Sequence, residues 1–459
     1  MTPNQMKRLG TELDAYVQYL TAEMGRPERR QAMGDYVKGL LLDGDRKSVV
    51  PMAARMANDA SDFEGLRQRL QRCVKSSWLD EELYRRVATK LHAELPGCEA
   101  FVLDDTGFAK KGVYSVGVAR QYSGTLGRTD NCQVGVSLHF AGEQGSGCIG
   151  FRLYLPESWT DDRKRCRAAG IPDDVGYEPK WKLALGLVDA ALAWSVRPPV
   201  TLADSGYGDT TEFRDGLTER GLVYNVAVKG TTVVWQPGVV PKSPTSRSGK
   251  AGRPRTLPTM GNNRPVPISE LAKSLGRAAY RKVTWRQGSR GKLASYFAAV
   301  RIRRAHGHAK GEAPGEEQWL LCEWPKDEKA PTKFYLSTQP ALCSLKELVR
   351  TAHLRWRVER DYQDMKQEVG LDSYEGRTWR GFHHHAALCA AAHAFLALRR
   401  ALFPPEQSAV DAADGAASPP ADSDRQARGV SAVPPQDELP SAAVWAIAVV
   451  MAGAQNAIR

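Results

Sequence analysis

The chain has 459 residues, enough for two or three domains with a sizeable core. Its formal net charge is +12 and its pI about 9.3, with Lys and Arg spread along the whole length, a balance that suits a polyanionic partner such as nucleic acid. Composition speaks against a membrane or secreted protein. The N-terminus has no apolar secretory core, the most apolar run (442–454) is too short to span a bilayer, and the eight cysteines show no CxxC pair and no Cys/His spacing for zinc. The expectation is a cytoplasmic protein without disulfides.

Residues 1–97 are expected to be helical and basic. Leu13, Val17, Leu20 and Met24 recur at helical spacing, as do Leu66, Leu70 and Val74, then Leu83, Val87 and Leu91. Such a module ahead of a catalytic core suits the reading of DNA ends, and equally a scaffold or a dimer contact. From 98 to 230 the expected order is a buried strand (99–104), antiparallel strands (113–122, 132–140, 148–155), an apolar helix (181–196), a strand (199–203), a helix (211–220) and a strand (222–228). Asp209 is expected to cap the helix beginning near Thr211. Residues 231–343 are expected to form a separate β-rich insertion. Residues 344–403 return to the core with a helix over 344–369, opened by a Ser344-x-x-Glu347 capping box and closed by Gly370. Pro, Ala, Ser and Asp make 404–440 a flexible linker, leaving 441–459 as a terminal helix. This order of elements predicts an α/β fold with a ribonuclease-H-like core, in which the first and fourth strands lie side by side.

Three carboxylates then fall into related places. Asp105 ends the first of those strands, Asp204 the fourth, and Glu359 sits on the late basic helix. Phosphodiester cleavage and strand transfer are in-line displacements at phosphorus, which two Mg²⁺ ions can assist at the attacking and leaving oxygens. Hard cations of this kind favour Asp and Glu over His or Cys. Because side chains alternate along a strand, only one of Asp104 and Asp105 can face such a centre. At about 100° per residue, Arg355, Glu359, Tyr362 and Lys366 share one helix face, so cations flank the glutamate and can grip phosphates. His383, His384 and His385 splay around a helix start and cannot all bind one metal, so DNA contact or capping is expected of them.

Several runs occur in order: Asp-Asp-Thr-Gly-Phe-x-Lys-Lys-Gly (104–112), Gly-Val-Ala-Arg-Gln-Tyr-Ser-Gly (117–124), Asn131-Cys-Gln-Val-Gly-Val, Tyr154-Leu-Pro-Glu-Ser-Trp-Thr-Asp161, Ala203-Asp-Ser-Gly-Tyr-Gly-Asp209 and Tyr374-Glu-Gly-Arg-Thr-Trp-Arg-Gly-Phe-His383. Over about residues 25–400 the chain resembles bacterial insertion-sequence transposases of the DDE superfamily, especially the insertion-sequence family numbered seven-hundred-and-one. The resemblance implies a ribonuclease-H-like core and a triad of Asp105, Asp204 and Glu359, with Asp105 preferred because it stands directly before Thr106. It also implies two Mg²⁺ ions (Mn²⁺ can substitute), binding to the terminal inverted repeats and target DNA as a homodimer, and a place at the bacterial nucleoid. A catalytically inactive relative acting as a DNA-binding regulator is the alternative. Related transposases carry Tyr-x2-Arg-x3-Glu-x6-Lys on the last catalytic helix. Arg355, Glu359 and Lys366 match it, while Ala352 fills the tyrosine slot and Tyr362 could substitute from the same face. By the same resemblance Trp285 or Trp324 could stack on a flipped base, each also suiting a packing role. Gly252-Arg-Pro-Arg255 resembles a minor-groove hook, making Arg253 and Arg255 DNA-binding candidates.

Overall fold

The structure is a computed structural model that describes residues 3–243, 257–288, 291–306 and 313–402. Arg253, Arg255 and the segments assigned above to a linker and terminal helix lie outside the described residues. The chain opens with five helices, α1 (Pro3–Thr21), α2 (Pro27–Leu41), α3 (Val49–Met56), α4 (Ala60–Lys75) and α5 (Asp80–Glu94). Their periodic apolar positions face inward: Leu13, Leu20, Leu66, Leu70, Leu83, Val87 and Leu91 are all buried.

Next come β1 (Cys98–Ala109), β2 (Ala119–Ser123), β3 (Arg128–Gly142) and β4 (Ser146–Leu153), then the short helices α6 (Glu157–Thr160) and α7 (Arg163–Ala168) and the longer α8 (Lys180–Ala193). The expected strand from 113 begins only at Ala119, because 110–118 is a loop after an extended β1. β5 (Val200–Ala203), α9 (Ser205–Gly208), α10 (Thr211–Glu219) and β6 (Tyr224–Val228) follow. β1 pairs with β3 antiparallel and with β5 parallel, and β5 pairs with β6 parallel, so the central order is β4-β3-β1-β5-β6.

The remaining strands are β7 (Val233–Trp235), β8 (Val266–Pro267), β9 (Arg281–Gly288), β10 (Gly291–Arg304), β11 (Glu317–Glu323) and β12 (Lys333–Ser337), with α11 (Ile268–Ser274) after β8. They do not form a sheet of their own. β12 pairs antiparallel with β6, from Phe334↔Val228 to Ser337↔Asn225, so the β-rich stretch continues the central sheet to twelve strands among the described residues.

The chain ends its described part with α12 (Leu345–His353), α13 (Trp356–Gln367) and α14 (Trp379–Leu402). The single helix expected over 344–369 is therefore two. Ser344 Oγ does accept the Glu347 N–H at 3.2 Å, and Gly370 does take the left-handed conformation (φ +69°) beyond the last turn. The break at Leu354–Arg355 lets α12 pack on β6, β9 and β10 while α13 packs on β1, β3 and β4. One straight rod cannot follow both parts of a twisted sheet.

α14 is apolar almost all round and nearly wholly buried from Ala386 to Leu398, as a helix between two layers must be. It lies against β4 on one side and against α2, α4 and α5 on the other. α8 covers the opposite face of the sheet, where a Cβ on Gly150 would meet Leu187 of α8, while one on Gly147 would meet Leu91 of α5 on the α14 side.

Candidate active site

Asp104 and Asp105 are consecutive in β1, so their side chains leave opposite faces of the sheet. Asp104 sits opposite Ser137 of β3, on the face covered by α13. Its Oδ2 accepts from Arg355 Nη1 at 2.7 Å, and Arg355 Nη2 donates to Glu359 Oε1 at 2.9 Å. One guanidinium thus bridges an aspartate of β1 and the glutamate of α13, which are 255 residues apart in the chain. Asp204 follows β5 directly and caps α9, accepting the Gly206 N–H at 2.9 Å and the Tyr207 N–H at 3.4 Å. Burial resists the charge on Arg355, but the negative charges of Asp104, Glu359 and Asp204 outweigh it and hold the guanidinium firmly protonated. Burial pushes the Asp104 carboxyl up to about 7, Arg355 opposes that and Asp204 adds to it. Asp104, Asp204 and Glu359 therefore sense one another through one cation.

Asp105, preferred above from the resemblance, has different partners. Its Oδ2 accepts from Lys180 Nζ, at the start of α8, at 2.9 Å and lies 3.5 Å from the Tyr207 hydroxyl. By geometry Asp104, and not Asp105, shares Arg355 with Glu359. The alternation rule is legible in sequence, but which side α13 would cover is not. Lys180 and Tyr207 were not singled out from sequence, and nothing in their spacing marks them.

Arg355 and Glu359 keep the i, i+4 relation expected of one helix face, and Glu359 is well exposed. Tyr362 and Lys366 turn inward instead. Tyr362 is only 9% exposed and its hydroxyl meets Ser137 Oγ at 2.6 Å, so it offers no surface to DNA. Lys366 Nζ donates to Thr106 Oγ1 at 2.7 Å and to the Gly107 carbonyl at 2.9 Å, with burial drawing its pKa down to about 8. Ala352, in the tyrosine slot, is buried.

Trp285 is half-buried and packs on His353 (centroids 4.0 Å apart) and edge-on to Phe297 (5.7 Å). Trp324 packs edge-on to Tyr280 and donates to the Glu328 carbonyl. The expected histidine surface is also internal. His383, His384 and His385 are each at most 4% exposed: His384, stacked on Trp78, and His385, bonded to Tyr36 and the Gly370 carbonyl, fasten α14 to the N-terminal helical region, while His383 accepts the Leu153 N–H of β4 at 3.2 Å. Asp209 does not cap α10, whose N-cap is Thr210. It accepts from the Lys229 N–H and the Thr232 hydroxyl, pinning the turn after β6.

The carboxylate oxygens of Asp104, Asp204 and Glu359 are the donor type that Mg²⁺ prefers, and a guanidinium between two of them marks a place where they attract positive charge. Among the described residues, no three His, Cys, Asp or Glu side chains stand close enough together to hold a metal as they are. No helix among the described residues is long and apolar enough to cross a membrane.

Two comparisons bear on this arrangement. Over 199 residues the chain is 31% identical to a protein of Microchaete diplosiphon named "Probable transposase for insertion sequence element IS701". That stretch covers 43% of this chain and 48% of the relative, so the chain spans about half the length of the curated relative it matches. A family described as "DDE superfamily endonuclease" matches residues 19–292, which takes in α2 to α5, both β1 aspartates and Asp204, but stops short of Glu359. On that match, over more than half its length, the chain belongs to the DDE superfamily endonuclease family.

Proposed function

We propose that this protein is a DDE transposase that binds the terminal inverted repeats of an insertion sequence, cuts the DNA at the element ends and joins the 3′-hydroxyl ends to target DNA. The observation that carries the reading is the meeting of a β1 aspartate and the α13 glutamate on one guanidinium, beside Asp204 at the end of the neighbouring parallel strand. The strand order β4-β3-β1-β5-β6 supports a ribonuclease-H-like core with that site at its centre. In this reading residues 98–230 and 344–403 form the catalytic core, 231–343 the β-rich insertion and 1–97 the DNA-binding helical part.

Asp104, Asp204 and Glu359 would hold divalent metal, Mg²⁺ or Mn²⁺. When bound, the metal activates the attacking oxygen and stabilises the leaving one. The chain's own groups do the rest. Arg355 gives up the carboxylates and pairs with a phosphate, a partner its planar fork suits as well. Lys366 holds strand β1 at Thr106–Gly107, and so the line of the aspartates. Two element ends require two active sites, for which a homodimer on DNA is the simplest assembly.

The test is strand transfer with labelled element ends, using inverted repeats mapped in the DNA flanking the gene. The wild type should give joined products, and cleavage without joining would make it a nuclease only. Glu359→Gln should bind ends and cut neither strand. Equal cutting by this variant would remove Glu359 from the catalytic set, and a wild type that binds ends but cuts neither strand would assign the chain to DNA binding alone. Asp104→Asn and Asp105→Asn decide between the two β1 aspartates: Asp104→Asn should abolish cutting, and an inactive Asp105→Asn beside an active Asp104→Asn would reverse the assignment.

A further inference from the structure

A cleft of about 420 Å³ lies away from the carboxylates, where three connections meet. Arg46 comes from the α2–α3 connection, Lys110 and Tyr114 from the loop after β1, and Asp372, Glu375 and Arg377 from the α13–α14 connection. The three connections are tied together. The Val116 N–H donates to the Arg377 carbonyl, Lys110 Nζ to the Tyr374 carbonyl, and Arg46 pairs with Glu375 at 2.8 Å.

The Tyr114 ring is 70% exposed at this cleft, and the Arg377 guanidinium lies over it, 5.4 Å from its centroid. A large aromatic left in water beside three cations is poor economy for folding alone. It is what a nucleotide needs: a flat face for the base and positive charge for the phosphate. The Arg46–Glu375 pair is surface-exposed on both sides, a kind of contact worth little and readily exchanged for a phosphate. Asp372 and Glu375 can then accept from the amino group of a base, as carboxylates do from cytosine.

The distance to the carboxylates is readable from β1. Asp104 and Lys110 are six residues apart along an extended chain, about 20 Å at roughly 3.3 Å per residue. At about 3.4 Å per nucleotide of duplex, that is about six nucleotides along one strand.

We propose that this cleft holds one unpaired nucleotide of the element-end DNA, about six positions from the cut, with its base against Tyr114 and its phosphate among Arg46, Lys110 and Arg377. The proposal rests on the transposase reading. It adds a second hold on the DNA, placed at the joint between the helical region and the sheet.

The experiment uses the full chain and element-end duplexes carrying 2-aminopurine at each of about ten positions around the cut, with binding followed in parallel by fluorescence anisotropy. A several-fold rise in 2-aminopurine emission is expected at one position about six nucleotides from the cut. Tyr114→Phe should keep it. Tyr114→Ala should lose it while still binding the duplex, and Arg377→Ala should lower the salt dependence of binding by about one charge. A flat response at every position in a duplex that is bound overturns the proposal, as does an unchanged response in Tyr114→Ala. Failure of the wild type to bind any element end overturns the transposase reading and this inference with it.

Discussion

Glu359 and Asp361 stand two residues apart on α13 and live in opposite circumstances. Glu359 is 65% exposed and has the guanidinium of Arg355 as its partner. Asp361 is 4% exposed and fully engaged: His139 Nδ1 at 2.7 Å, Ser146 Oγ at 2.6 Å, and His393 Nε2 farther off at 3.8 Å. Ser137 extends that network, bonding both His139 Nε2 and the Tyr362 hydroxyl. Burial works against a charge on His139, but Cys148 and Asp361 favour it and push its pKa up to about 10. The helix is thus fastened by one carboxylate so that the next can be left loose. A reacting group needs a fixed backbone and a partner it can release, and these demands fall here on different residues.

The largest test of that contrast is Glu359→Gln. It should cut end cleavage by at least about a thousandfold and leave the thermal midpoint within about 2 °C, the scale of a surface substitution. A large drop in the midpoint would mean that Glu359 is structural after all. Asp361→Ala should do the reverse first, costing about 3–5 kcal/mol in urea unfolding because it strands a buried histidine charge. Full stability in that variant would break the comparison. Gly370→Ala should cost about 1–3 kcal/mol by the same measurement. The glycine has φ +69°, and an added Cβ would sit 2.3 Å from Lys47 Cβ, so the end of α13 would have to shift.

The smallest effect sharpens the picture of the loose side. Burial first, then Asp204, hold the Asp104 carboxyl up at about 7 against the pull of Arg355. Its folded value lies above the ordinary carboxylate value, so this carboxyl becomes increasingly protonated in the folded protein as pH falls through 7. Metal must then displace that proton, and the Mg²⁺ concentration for half-maximal cleavage should rise by about tenfold per pH unit below 7. A midpoint independent of pH between 5.5 and 7.5 would show that Asp104 is not a ligand.

Much of this was legible in the sequence. The strand and helix order around β1, β5 and β6 follows from alternation and apolar runs, and the Ser344 N-cap and the stop at Gly370 sit where the residues put them. What stayed hidden depends on which surfaces meet. The choice between Asp104 and Asp105 turns on the side α13 covers, and the break at Leu354–Arg355 on the twist of a sheet that no local pattern records. His383–His385 look like a polar cluster in one dimension, yet in the fold His384 finds Val74 and Trp78 over 300 residues away, His385 finds Tyr36 and the Gly370 carbonyl, and His383 finds the Leu153 N–H of β4. Tyr362 read as a surface residue for the same reason: its partner, Ser137, is 225 residues away.

The position of α14 has a practical consequence. Its alanine-rich surface is covered on one flank by the sheet and on the other by α2, α4 and α5. Expressing the first hundred residues and the remainder as separate polypeptides would uncover that flank in one and its counterpart in the other. Both pieces should then be sticky and poorly behaved alone, and mixing them should restore solubility. Anyone hoping to graft a new end-reading module onto this scaffold would have to carry the flank of α14 along with it.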